Sequence, residues 1–153
     1  MNIRLNFTRI APEAYQPMVA MEKYFMNCGL DHGLIHLVKL RASQINGCAY
    51  CIDVHWKDAR AAGETEQRLY GLDAWAESPY YNDRERAALT WTESLTRVGE
   101  GHVPNEVYEL LRSQFSEKET VDLSWVIAII NAWNRMAISL RSPAGSYKPH
   151  PTA

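Results

Sequence analysis

Two thiols three residues apart, Cys48 and Cys51, are followed four residues later by the imidazole of His55. In a helix, 100° per residue places all three side chains within roughly 60° of one another on one face. Ser43-Gln-Ile-Asn-Gly47 ends one helix and opens the next, so Cys48 falls where free backbone N–H groups stabilise an anion. His55 lies at i+4 from Cys51 and can take its proton, whereas Cys48 is expected nearer the helix end and solvent. Two thiols on one turn can close a disulfide and reopen it. The chemistry read from this segment is that of a dithiol redox enzyme.

Two blander readings compete. Two Cys and one His make three zinc ligands where a structural site takes four, and no second CxxC exists; Cys28 completes the set only if the first helix brings it close. An inert buried pair is the other reading, because free Cys behaves as a small hydrophobe. No metal and no cofactor are expected. The five tryptophans fall on helix stripes and read as core or interface. His32, His102 and His150 sit near helix ends or in the tail and read as solvated, Glu85 as part of a cap, and Cys28 as a packed bystander.

The elements that position the thiols are helical throughout. Pro12 opens a helix that Gly29 closes, with Tyr15, Met18, Val19, Glu22 and Phe25 at helical intervals. Asp31 caps a second, running to about Asn46 with Gly47 as its stop. A third runs from near Cys48 to Gly63, and Thr65 starts a short one through Trp75, interrupted by Gly71. Asn82 and Glu85 form a capping-box pattern, with Ala88, Trp91, Leu95 and Val98 on the following stripe. Pro104 opens another helix with Val107, Leu110, Leu111 and Phe115 inward. Ser116 and Glu119 repeat the box and begin the longest helix, to about Leu140. Its centre, Val121 to Trp133, is apolar nearly all round and needs cover from neighbours or a second subunit.

Residues 1–141 are thus read as a single all-α domain of about six to seven helices, and 142–153 as a Pro-rich tail, extended or disordered. A net charge of −2 without a basic run gives no footprint for nucleic acid or an acidic membrane surface. The first eight residues hold no apolar stretch of signal-peptide length, and the longest apolar run, Trp125 to Ile130, is too short to span a bilayer. A cytoplasmic location is expected, where a close Cys pair is catalytic or metal-binding sooner than structural.

Three segments, Leu37 to His55, Asp83 to Glu93 and Ile130 to Arg135, resemble the alkylhydroperoxidase AhpD-like branch of the carboxymuconolactone decarboxylase family. The resemblance implies an AhpD-like helical bundle, a homo-trimer or homo-hexamer, and peroxidase activity toward a hydroperoxide. It implies that Cys51 is oxidised to sulfenic acid and that Cys48 resolves it and faces the reductant. That reductant would be an external dithiol, thioredoxin-like or lipoyl-bearing, and His55 would act in proton relay. The family places a Glu twelve residues before the first Cys, where this chain has His36. An imidazolium there would lower a neighbouring thiol's pKa where a carboxylate would raise it. A disulfide reductase is the nearest alternative, since decarboxylases of the family generally lack the CxxC. A non-enzymatic helical oligomer, its Cys pair sensing redox state or binding zinc, is the other.

Overall fold

The computed structural model describes residues 2–149, and the last four residues of the tail, with His150, lie outside them. Among the described residues there are nine α-helices, a 3-10 turn and no strand. They are α1 (Phe7–Ile10), α2 (Pro12–Phe25), α3 (His32–Asn46), α4 (Ala49–Ala61), α5 (Glu66–Tyr70), the 3-10 turn Gly71–Ala74, α6 (Asp83–Thr96), α7 (Val98–Gly101), α8 (Asn105–Arg112) and α9 (Glu117–Leu140). The count exceeds the six or seven expected because α1 and α7 are single turns of four residues. Four residues are too few to show a helical period.

The caps follow the sequence chemistry. Asp31, Asn82 and Ser116 each accept a backbone N–H from three residues on, and the last two complete reciprocal boxes with Glu85 and Glu119. Gly47 ends α3 in the left-handed region at φ 67°, which a residue with a Cβ adopts only at a cost. That bend returns the chain so that α4 packs back along α3.

The central helix is α3, which lies against α4, α6 and α9. It is buried nearly all round. Leu34, Ile35 and Val38 join Phe25, Ala88, Leu111, Leu123 and Ile127 on one side, while Leu37 and Leu40 join Leu69, Leu72 and Leu89 on the other. Each such side chain stabilises the fold by about 1.5–3 kcal/mol. The long helix α9 is instead amphipathic, with Val121 55 % and Trp125 52 % exposed. By length and composition alone α9 could cross a membrane. In the fold it packs on α3, α4 and α6 and carries buried Asp122, Asn131 and Asn134. Leu110 and Val98, expected inward, are exposed: the buried face of α8 runs through Leu111, and Val98 lies beyond the end of α6 at Thr96.

A polar network fixes where α4 begins. Fully buried Asn134 donates to Ser43 Oγ at 3.1 Å and accepts from Asn46 Nδ2 at 2.8 Å, and the same Asn46 amide donates to Asn131 Oδ1 at 2.9 Å. Buried amides without partners cost free energy, so this closed set holds the α3 C-terminus, and with it Cys48, against α9. From Ser142 to Pro149 the chain is an extended strap on α4. Lys57 Nζ donates to the carbonyls of Gly145 and Tyr147, and Asp53 accepts the Gly145 N–H at 3.0 Å.

Candidate active site

Cys48 and Cys51 are joined as a disulfide, with Cα atoms 5.3 Å apart. Helix α4 starts at Ala49, so Cys48 is its N-cap, with extended backbone (φ −84°, ψ 94°). The three side chains therefore do not share one helical stripe. Cys48 turns inward against Ala42, Ile130 and Ala137 and is 1 % exposed. Cys51 is also buried at 3 %, but it lines a cavity of about 550 Å³. The expectation that Cys48 is the more accessible thiol is not met, because a cap residue follows the turn geometry and not the helix face. Cys48 Sγ instead accepts the Cys51 backbone N–H at 3.4 Å, the position in which a helix terminus stabilises a departing thiolate.

His55 and His36 line the same cavity as Cys51. His55 follows Cys51 by one turn of α4, and His36 reaches in from α3 to border the same cavity. Burial holds the His55 imidazole well below its ordinary 6.5, and the positive Lys39 and the neighbouring His36 push the same way. Burial also lowers His36, opposed in part by the Asp58 carboxylate and assisted by Lys39. Both imidazoles are neutral near pH 7. An imidazolium at His36, the form that would depress a thiol, is therefore disfavoured by its surroundings.

These two groups set an acid limit on stability. The unfolded chain binds protons on both imidazoles near pH 6.5, while the folded chain does so only at lower pH. Stability is complete above pH 6.5 and is lost as pH falls below it, by at most about 1.4 kcal/mol per pH unit for each group. Urea midpoints should fall between pH 7 and pH 5.5, ahead of carboxylate titration. Replacing both residues by Gln should flatten that slope, and an unchanged slope would place the acid sensitivity elsewhere.

The structure also brings in residues that the sequence did not single out for chemistry. Asp58, one turn beyond His55, accepts a hydrogen bond from Tyr147 Oη at 2.7 Å. Burial, and then that same bond, raise the Tyr147 phenol above its ordinary 10.0. Lys39, 6 % exposed, forms an ion pair with Glu22, whose other oxygen accepts Trp133 Nε1 at 2.9 Å. Trp133 packs with Phe7 and Tyr15, at centroid distances of 6.4 and 5.7 Å, to form an aromatic wall. The i+7 spacing of Asp58 from Cys51 was the available signal for Asp58. Glu22, Lys39 and Tyr147 gave none, because they meet the site only through α2, α3 and the tail. Of the remaining candidates, Glu85 pairs with Arg68 and caps α6, half-buried Cys28 is a free thiol, and His32 and His102 are exposed.

Residues 12–94 match the carboxymuconolactone decarboxylase family. The chain is 43 % identical over 146 residues to the uncharacterized protein YdfG of Bacillus subtilis, covering 95 % of this chain and 99 % of that one. A crystal structure from Agrobacterium tumefaciens, of a protein of unknown function described as a putative antioxidant defence protein AhpD, superposes with a TM-score of 0.92. It is 42 % identical and covers 95 % of this chain and 100 % of its own. An uncharacterized peroxidase-related protein from Ralstonia eutropha, described as an alkylhydroperoxidase AhpD core, shares the fold at a TM-score of 0.80 with 20 % identity, over 91 % of this chain and 74 % of its own. The chain belongs to the carboxymuconolactone decarboxylase family and has the AhpD-like helical fold.

Proposed function

We propose that the chain is a thiol-dependent peroxidase that reduces a hydroperoxide with Cys51 and closes the Cys48–Cys51 disulfide. The observation that carries this reading is that Cys51, and not Cys48, borders the cavity alongside a neutral imidazole one turn away. The Cys51 thiol gives its proton to His55, and the thiolate attacks the terminal oxygen of ROOH. The O–O bond breaks, the alkoxide takes the proton back from His55, and ROH leaves with Cys51 as sulfenic acid. A weakly basic imidazole is suited to this, because its protonated form is a strong acid toward an alkoxide. The Cys48 thiol then attacks the sulfenic sulfur, and water is released with the disulfide.

An external dithiol restores the pair. Burial of Cys48 supports attack at the cavity-facing Cys51 sulfur, with Cys48 leaving as the cap-stabilised thiolate. It favours a small dithiol or a lipoyl-type arm over a protein that must present a broad face to the thiols. The same burial weighs against a general protein disulfide reductase, and a cytoplasmic setting supplies the reducing partner. The test is stopped-flow mixing with an alkyl hydroperoxide. Loss of two thiols per chain, restored by dihydrolipoamide, supports the reading; thiols that survive excess peroxide overturn it.

The exposed side of α9 is part of the same proposal. Trp125 and Val121, with Leu95 and Tyr108, border an apolar groove, and a monomer seldom leaves such a surface to water. The chain should sediment as a trimer or hexamer at micromolar concentration, and Trp125→Glu should dissociate it. A lone 17.5 kDa species before substitution would refute the assembly.

A further inference from the structure

A ring nitrogen of His36, a ring nitrogen of His55 and a carboxylate oxygen of Asp58 lie within 4.8 Å of one another. His55 and Asp58 stand one turn apart on α4, a spacing that aims two donors at one point, and His36 approaches from α3, which packs on α4. We infer that His36, His55 and Asp58 form a binding site for a divalent transition-metal ion that opens onto the cavity beside Cys51. The inference concerns metal binding and does not depend on the peroxidase reading.

Three further observations favour an ion at this point. Among the described residues, neither His36 Nδ1 nor His55 Nδ1 has a hydrogen-bond partner, although both atoms are sealed from solvent. Buried polar atoms left in this way normally answer to a water or an ion. The hydrogen bond that Asp58 accepts comes from Tyr147 and not from an imidazole, so one carboxylate oxygen is oriented from outside while the other remains for the ion. Lys39, whose charge acts on both imidazoles, is already paired with Glu22, and Asp58 places a carboxylate directly beside the two rings, where it can balance a cation.

The donor set selects the metal class. Two imidazoles and one carboxylate suit zinc and its first-row neighbours, whereas calcium and magnesium take oxygen cages. Around an ion with bonds of about 2.0–2.2 Å, tetrahedral donors sit about 3.3–3.6 Å apart, so binding draws any pair of these donors together by at most about 1.5 Å. Three protein ligands leave a fourth position toward the cavity, as in an open site.

The experiment uses the full chain, stripped with chelator, kept as the Cys48–Cys51 disulfide and with the free Cys28 thiol alkylated, so that no thiolate can ligate. Calorimetric titration with Zn²⁺ alone should show one ion per chain at micromolar affinity or tighter. Asp58→Asn, His36→Gln and His55→Gln should each weaken it by about tenfold or more, and His32→Gln should not. In the unsubstituted chain, Zn²⁺ should protect His36 and His55 from carbethoxylation while His32 and His102 still react, which decides the matter even where a variant fails to fold. Absence of saturable binding below about 0.1 mM would overturn the inference. So would binding that leaves His36 and His55 reactive.

Discussion

Cys51→Ser should abolish catalytic peroxide reduction, leaving only the uncatalysed rate, while Cys48→Ser should still complete one turnover per chain. The asymmetry follows from position. Both thiols belong to the buried cluster with Ala42 and Ile130, but Cys51 borders the cavity and Cys48 does not. A serine hydroxyl is ionised far less readily than a thiol at neutral pH and cannot be oxidised and reduced in its place, so nothing in Cys51→Ser can accept the peroxide oxygen. In Cys48→Ser the first step proceeds, and sulfenic acid then accumulates at Cys51 because no second thiol can close the disulfide. Dimedone labelling followed by mass analysis should mark Cys51 in Cys48→Ser and nothing in Cys51→Ser. Label on Cys48 in the Cys51→Ser protein would reverse the two roles. His55→Ala should slow the first step by about 10²–10³ near neutral pH, and less in alkali, where the thiol ionises unaided.

The helices were legible in the sequence because their signals are local. Pro12, Asp31, Gly47, Asn82 and Ser116 each start or stop a helix by chemistry within four residues, and the structure places the ends of α2, α3, α6 and α9 within a few residues of where that chemistry puts them. The redox pair was legible for the same reason. What could not be read was direction in space. A CxxC spacing fixes that two thiols meet, but whether each faces solvent, core or cavity depends on the residue at which α4 becomes helical. Cys48, as N-cap, meets the Cys51 sulfur from the turn and does not line the cavity that Cys51, His55 and Asp58 share. His36 was legible as a departure from the family pattern, and its placement required the packing of α3 on α4. Lys39 is buried because Glu22, which pairs with it, comes from an element seventeen residues earlier, and no local pattern around Lys39 signals that partner.

Glu22→Ala should be among the most damaging single substitutions away from the thiols. The Lys39 side chain is 8 % exposed, and its ammonium lies 5.5 Å from the centre of the Phe25 ring. Glu22 is the anion that balances it, and through Trp133 the same carboxylate ties α2 to α9 across the cavity mouth. Removing the carboxylate strands a buried cation and an indole N–H together. Breaking a buried pair in this way costs about 3–5 kcal/mol; with Glu22 about a third exposed, water offsets part of it, leaving about 2–4 kcal/mol. For a chain of this size that lowers Tm by roughly 5–15 °C. Taking away both charges should be much less harmful, since a buried ion pair and its desolvation cost nearly balance. The double variant Glu22→Leu, Lys39→Met should therefore recover most of the loss, although the Trp133 N–H remains unpaired. Calorimetric melting of the two proteins distinguishes the cases. A Glu22→Ala shift within about 0.5 kcal/mol would mean that the pair behaves as a solvent-screened surface contact. A double variant as unstable as the single one would assign the loss to the Trp133 hydrogen bond.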